Sequence, residues 1–215
     1  MAKIAVITAN LGNFDKQVDP VLQSIKYDFF RFTDDNFPPR LNSMTPRLQA
    51  RIPKCYSWQM VPDYNYYIWV DSSCSLSHPD SVKWFLKQCE NTDFAFFKHP
   101  NRNSIQEEAD YLKLRLENGC SYITPRYENE LIDEQLQAIK NDKDFVDDKL
   151  FASTVFIYKN SGRTHGMLSH WWHHISRYHS IDQLSLPYVL WKSKCSFKTI
   201  LESYLKIPYL SYTRK

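Results

Sequence analysis

Along the chain, short runs rich in apolar residues alternate with longer stretches of helical period. The runs lie at 3–8, 27–32, 66–70, 93–98 and 151–159, and they are rich in β-branched and aromatic residues. The apolar run at 3–8 has the pattern of a buried parallel strand, and the other runs predict strands as well. A helix is expected over 19–26, opened by Asp19-Pro20 as N-cap and first helical position. Leu48 and Ile52 share a helical face within 38–53, and Val82, Phe85, Leu86 and Cys89 share one within 80–90. Ser104 with Glu107 predicts a capping box for a helix over 104–118, which Gly119 ends. Further helical stretches are expected at 128–140, 164–178 and 181–191, the last kinked at Pro187. A final strand is expected at 196–200, and the basic tail 213–215 is expected to fray. The pattern predicts one α/β domain, residues 1–215, Rossmann-like, with a mostly parallel central sheet of about six strands flanked by helices.

The run Tyr66-Tyr67-Ile68-Trp69-Val70 ends abruptly on Asp71-Ser72-Ser73. Ligands of open α/β sheets bind beyond the carboxyl ends of the strands, so Asp71 is expected to project into a crevice. A carboxylate there, with Ser73 two residues on, suits a hard divalent cation that grips a diphosphate. A helix cap or turn would use the same aspartate equally well. The strands that end near Thr8 and Phe32 also run into polar loops, and both loops are expected on the edge that carries Asp71. Arg40, Arg47, Arg51 and Lys54 lie on the stretch expected to form a short helix, with its basic face toward the site.

Composition narrows the classes. The chain has 215 residues, 43% hydrophobic and 24% charged, which is ordinary for a globular domain. Only four glycines, with no GxGxxG or Walker sequence, argue against a Gly-rich nucleotide loop. A formal charge of +3 fits a small anionic ligand but is too weak to argue for nucleic acid. Five scattered cysteines without a CxxC fit free thiols in a reducing compartment. With no apolar run of membrane-spanning length and no leader pattern, a cytoplasmic location without membrane insertion is expected.

The ordered set of motifs carries a resemblance. Tyr67-Ile68-Trp69-Val70-Asp71 resembles the divalent-metal strand of GT-A-type glycosyltransferases. His99-Pro100-Asn101-Arg102, then Glu107-Glu108-Ala109, Trp171-Trp172 and Ser180-Ile181-Asp182-Gln183-Leu184-Ser185 resemble, in that order, the plant and microbial domain family of mucilage-type glycosyltransferases. The opening loop from Thr8 to Asp15 fits the same family, and the chain as a whole is similar to the N-terminal glycosyltransferase domain of a multidomain chlorella virus enzyme. The likeness runs from about residue 4 to residue 192. One departure stands out: the usual Asp-x-Asp is Asp71-Ser72-Ser73, so one carboxylate of the motif is missing.

The resemblance implies a UDP-sugar donor, a glycan acceptor that could sit on a glycoprotein, and Mn²⁺ or Mg²⁺ across the phosphates. For a viral member the location would be the host cytoplasm. It implies Asp71 as metal ligand, with Ser73 ligating directly or through water and Ser72 between them. It places Thr8, Ala9 and Asn10 at the uridine, and Asp182 and Gln183 beside the donor sugar of a retaining enzyme. Arg51 and Lys54 are candidates for phosphate or base contacts, against a solvated basic helix face. Asp34 is a candidate for the uracil imide, against a turn-forming role. His99 is a candidate for the sugar or a phosphate, against a structural role. Asp182 could equally cap a helix.

His170 and His174 have i, i+4 spacing, but no Glu or Cys pair accompanies them, so a packed aromatic helix is the better reading than a metal site. Trp171 or Trp172 could add sugar stacking. Three other classes compete. A nucleotidyltransferase would carry a Gly-rich basic loop after its first strand, which Asn10-Leu11-Gly12-Asn13 lacks. A non-catalytic nucleic-acid module is disfavoured by carboxylates at strand ends. A glycoside hydrolase would use Asp71 and Asp182 as its carboxylate pair.

Overall fold

The computed structural model describes residues 2–212, so the expectation for 213–215 lies outside the described residues. The apolar runs form β1 (Ile4–Asn10), β2 (Asp28–Thr33), β3 (Tyr66–Val70), β5 (Phe94–Lys98) and β6 (Phe151–Lys159). With β7 (Phe197–Ile200) they make one six-stranded sheet in the order β2-β1-β3-β6-β5-β7. β1 pairs parallel with β2 and β3, and β5 with β7, whereas β6 runs antiparallel to both its neighbours. The mostly parallel sheet of six strands is therefore present. The single reversed strand was invisible in the pattern, because a run buried on both faces looks the same in either direction.

Two cores follow from the two-residue period of the strands. Ala5, Ile7, Tyr67, Trp69, Phe94, Phe96, Phe156 and Tyr158 point to one face. There they meet α1 (Pro46–Met60), α3 (Ile105–Glu117), α5 (Ile132–Lys140), α6 (Gly162–Arg177) and α7 (Leu186–Ser193). Ile4, Val6, Ile68, Val70, Ala95, Phe97, Val155 and Ile157 point to the other face. They pack on α2 (Ser81–Gln88) and on a small antiparallel pair, β4 (Cys74–Leu76) with β8 (Leu210–Tyr212). Neither strand of that pair was anticipated, since three residues are too few to show a period.

Three helical expectations need correction. No helix forms over 19–26, and the parallel crossover from β1 to β2 is irregular. The backbone N–H of Val21 donates to Leu76 O and that of Ser24 to Pro79 O, which draws the segment out along β4. Gln23 is buried there, and its Oε1 accepts from the Val82 N–H, 3.0 Å away. Asp80, the residue before α2, makes no side-chain cap bond, so Gln23 caps that helix from 59 residues away. The helix expected over 128–140 begins only at Ile132, as α5; a separate short α4 (Thr124–Tyr127) precedes the stretch, and Asn129 between them takes a positive φ of 66°. The stretch 181–191 divides into a 3₁₀ turn, Asp182–Leu184, and α7, in whose first turn Pro187 lies, so the proline opens a helix rather than kinking one. Helix α1 outruns expectation as well. Thr45 caps it, and it continues past Pro53 with a local break at Tyr56.

The strand order reverses at β1, with β2 on one side and β3 on the other. The carboxyl ends of these strands therefore open a crevice between β1 and β3, and the antiparallel β6 brings its first residues to the same edge. Gln23→Ala would leave the buried Val82 N–H without an acceptor. It is expected to cost about 1–3 kcal/mol of stability, read as a lowered denaturant midpoint with an unchanged slope.

Candidate functional site

The crevice is a cleft of about 210 Å³. Ala9, Asn10, Leu11, Phe14 and Asp15 line one wall from the end of β1. Asp71, Ser72 and Ser73 enter from the end of β3, and Ser153 and Thr154 from the start of β6. Arg47 and Arg51 line it from α1, Tyr122, Arg126 and Tyr127 from the α4 region, and Asp182 with Gln183 from the 3₁₀ turn. Asp71 and Asn10 thus share one edge, as the strand-end argument requires.

Beneath the cleft lies a buried ionic cluster. Lys54, with no exposed surface, donates to Asp182 Oδ2 at 2.5 Å, and its Nζ lies 3.4 Å from Asp71 Oδ1. Arg51 Nη1 is 3.3 Å from Asp182 Oδ2 and 3.9 Å from Asp71 Oδ1. Ser153 Oγ donates to Asp182 Oδ1 at 2.7 Å, and Trp69 Nε1 to Asp71 Oδ1 at 2.6 Å. The rings of Trp69, Phe156 and Trp171 surround the Lys54 ammonium at 5.4 to 5.9 Å, which favours a cation there. Trp171 Nε1 also holds the Asp182 carbonyl at 2.9 Å. Burial alone would raise the Asp182 carboxyl. Arg51, Lys54 and the bonds from Lys54 and Ser153 outweigh it and hold the group at about 2. Burial likewise works against the Arg51 charge, and Asp182 and Asp71 overcome it.

This geometry reassigns several expected residues. The Lys54 ammonium is spent on two carboxylates and reaches no ligand directly. Both oxygens of Asp182 are occupied and its side chain is 3% exposed, so it anchors the two cations rather than facing a sugar. Gln183, by contrast, lines the cleft and is half-buried. Thr8 faces a separate small cavity with Gln17, Val18 and Arg31, while Ala9 and Asn10 do face the cleft.

Asp34 accepts from the Gly12 N–H at 2.7 Å and pairs with Arg40 at 2.6 Å, so it latches the loop after β1. Gly12 has a φ of +78°, and a Cβ there would lie 2.7 Å from Phe14 and 2.9 Å from Pro46, so that turn requires glycine. His99 is buried and accepts from the N–H groups of Asn101 and Arg102. Burial, with Arg102 nearby, pulls it down to about 4, and it serves its own loop rather than the cleft. Trp171 is wholly buried in the core, which removes it as a sugar platform.

Sequence reasoning did not single out Asp15, Arg126, Tyr122 or Tyr127, and it left Arg47 as one of several basic residues. Arg47, Arg51 and Lys54 stand at i, i+4 and i+7, a helical spacing that was available as a signal. Asn10 fixes Asp15 by donating from Nδ2 to its carbonyl at 2.7 Å and accepting its N–H at 3.3 Å. Ser72 Oγ then donates to Asp15 Oδ2 at 2.6 Å, which brings a second carboxylate beside the Asp71 motif. Among the described residues no group of three or more His, Cys, Asp or Glu is placed to enclose a metal ion. Asp71, Asp15 and Ser73 all line the cleft and carry oxygen donors of the hard type that Mg²⁺ takes. No described helix is long and apolar enough to cross a membrane.

The low Asp182 value has a pH consequence. A carboxyl depressed in the folded state contributes stability that is present above its ordinary value near 3.8 and is lost as pH falls toward 2. The contribution amounts to about 2 kcal/mol. The difference in unfolding free energy between wild type and Asp182→Asn is expected to shrink across that window. Because Asp182→Ala leaves Lys54 poorly paired in a buried site, it is expected to cost about 3–5 kcal/mol near neutrality. Chemical denaturation at a series of pH values checks both.

Comparison with curated protein sequences finds no match. One solved structure, a glycosyltransferase involved in glycosylation of the major capsid of PBCV-1, is similar over 94% of this chain and 84% of that one, with 8% identity and a TM-score of 0.47. That degree of likeness carries no weight for site or substrate. The family comparison is stronger, because residues 40–209, well over half of the chain, match the TOD1/MUCI70 glycosyltransferase-like domain. The match spans α1 through most of the chain and so includes Arg51, Asp71, Asp182 and the cleft wall they build. The chain belongs to the TOD1/MUCI70 glycosyltransferase-like domain family.

Proposed function

We infer that the cleft is the donor site of a glycosyltransferase that moves a sugar from a UDP-sugar to a glycan acceptor. The observation that carries this reading is the meeting, at the β1/β3 switch point, of the Asp71 carboxylate with a wall of arginines. A nucleoside diphosphate needs positive charge at its phosphates, and a carboxylate that can share a cation with them. Ala9, Asn10 and Leu11 would take the nucleoside, Arg51 a phosphate, and Gln183 a sugar hydroxyl. Asp71 with Asp15 and Ser73 would hold Mn²⁺ or Mg²⁺, which when bound neutralises phosphate charge.

In the transfer, the bond from the sugar anomeric carbon to the β-phosphate oxygen breaks and its electron pair stays on that oxygen. The acceptor hydroxyl oxygen bonds the anomeric carbon, and its proton passes to the departing diphosphate. Charge grows on the leaving oxygen, so fixed cations aimed there stabilise the transition state more than the ground state. The anchored Arg51 is such a cation, because Asp182 fixes its position before the donor arrives. With the Asp182 carboxylate engaged below the cleft and Asp71 and Asp15 assigned to the cation, retention by front-side delivery of the acceptor is the outcome proposed.

Two measurements test the reading. UDP and UDP-sugars, with Mn²⁺, are expected to raise the melting temperature, by an amount corresponding to about 2.7 kcal/mol at a hundredfold excess over Kd. Asp71→Asn should abolish the Mn²⁺-dependent part of that shift. Absence of any nucleotide-dependent shift would overturn the donor assignment. Gln183→Ala is expected to lower kcat by about 10² with little change in melting temperature. Unchanged turnover in that variant would remove Gln183 from the sugar site.

A further inference from the structure

The ionic cluster under the cleft is internally neutral, with Lys54 and Arg51 set against Asp71 and Asp182. Two further guanidinium groups on the cleft wall have no such balance. Arg47, half-buried, lies over the Tyr127 ring at 4.6 Å and makes no hydrogen bond or ion pair among the described residues. Arg126 lies over the Tyr122 ring at 4.0 Å and donates from Nη1 to the Tyr122 carbonyl at 2.8 Å. Its Nε is buried without a partner. Arg51 Nε is also buried without a partner. Burial first, and then the charges of Arg51 and Arg126, pull Arg47 below its ordinary value.

Three like charges gathered on one wall repel one another, and among the described residues two of them have no carboxylate within ion-pair distance. Their positions are nonetheless fixed. Arg47 and Arg51 sit one turn apart on α1, and Arg126 sits on α4, whose Tyr127 is the platform for Arg47. Guanidinium groups stacked on aromatic rings keep their N–H edges free for a planar or tetrahedral oxyanion. The arrangement is therefore prepared for an anion with several oxygens. An anion lying between this wall and Asp71 occupies the place where the donor's phosphates would meet a cation.

We propose that Arg47 and Arg126, together with Arg51, form a clamp for the diphosphate of the nucleotide-sugar donor. The proposal rests on the donor reading above and adds two residues to it. Because both side chains are held by tyrosines rather than by carboxylates, the clamp is ready before the donor binds, and little ordering is required on binding. Arg126 reaches the cleft from a four-residue helix between α3 and α5, so the clamp also ties that segment to the occupied site.

The test is titration calorimetry of the whole chain, in saturating Mn²⁺, with UDP, UMP, uridine and inorganic diphosphate. Arg47→Ala and Arg126→Ala are each expected to weaken UDP binding about tenfold, in line with loss of a charge-assisted bond. UMP should lose less, and uridine should bind equally to wild type and variants. Competition by inorganic diphosphate should weaken in parallel with UDP. Arg47→Lys and Arg126→Lys, which keep charge and bulk, should fall between, and they serve if either alanine variant fails to fold. A loss of UDP affinity under threefold overturns the clamp while leaving the donor reading intact, as does an equal loss for uridine. Failure of the wild type to bind UDP at all removes the donor reading and the clamp with it.

Discussion

The contact between Lys54 and Asp182 is the constraint on which the site depends. It joins residues 128 positions apart, bringing α1 against the 3₁₀ turn that follows α6. A buried ammonium without a carboxylate is prohibitively costly, and a buried carboxylate without a cation is equally so, which makes each residue a condition for the other. Because Asp182 also takes the Ser153 hydroxyl and Asp71 also takes the Trp69 indole N–H, the pair locks β6 and the end of β3 into the same geometry. A pair so placed adds little net stability compared with an apolar filling of the same volume. Its value lies in register, since it allows only one placement of Arg51 and Asp71 at the cleft.

That placement explains how a carboxylate and several arginines stand side by side at a single edge. The parallel strands bring their carboxyl ends to that edge, and the reversed β6 delivers Ser153 and Thr154 from its start. The wall residues come from α1 and α4, which are not part of the sheet. Tyr127 stacks on His179 with ring centroids 5.3 Å apart, while the Leu131 N–H donates to the Tyr178 carbonyl. Glu130 accepts from both the N–H and the hydroxyl of Ser180. The segment that carries Arg126 is thus fastened to the residues that lead into Asp182, and the two sides of the cleft are mechanically one body.

Much of the sheet was legible in the sequence, because the runs that form β1, β3, β5 and β6 have no alternative to burial, whereas β2 is only partly buried. The strand-end position of Asp71 was legible for the same reason. What could not be seen were interactions between distant residues. Gln23 prevents a helix over 19–26 by serving Val82, and no local pattern in Asp19-Pro20 records that. Lys54 looked like a ligand-binding residue because α1 carries a basic face; only the burial of that face against Asp182 reveals a structural cation. The same holds for Asp34, which has the composition of a binding aspartate and the geometry of a latch on Gly12. Arg126 was missed because it lies on a helix of four residues, too short to carry a face. Asp15 was within view in the opening loop, and what identifies it is the Ser72 hydroxyl, 57 residues away.

The charge arrangement bears on the departure of Asp71-Ser72-Ser73 from the two-carboxylate motif it resembles. In Asp71-Ser72-Ser73 the third position has lost its charge, and Ser72 instead directs its hydroxyl to Asp15 on the opposite wall. The carboxylate count at the cleft is thereby restored from a different element, at the cost of a less compact pair. A cation held more weakly in this way would leave phosphate charge less fully neutralised, and Arg47 and Arg126 supply positive charge on the facing wall. Above the neutral cluster, the cleft wall carries the Asp15 carboxylate and the Arg47 and Arg126 guanidinium groups. On the proposed reading, such a site would attract an anion before any metal entered, and its oxygen donors would remain available to a cation whose shell phosphate oxygens complete.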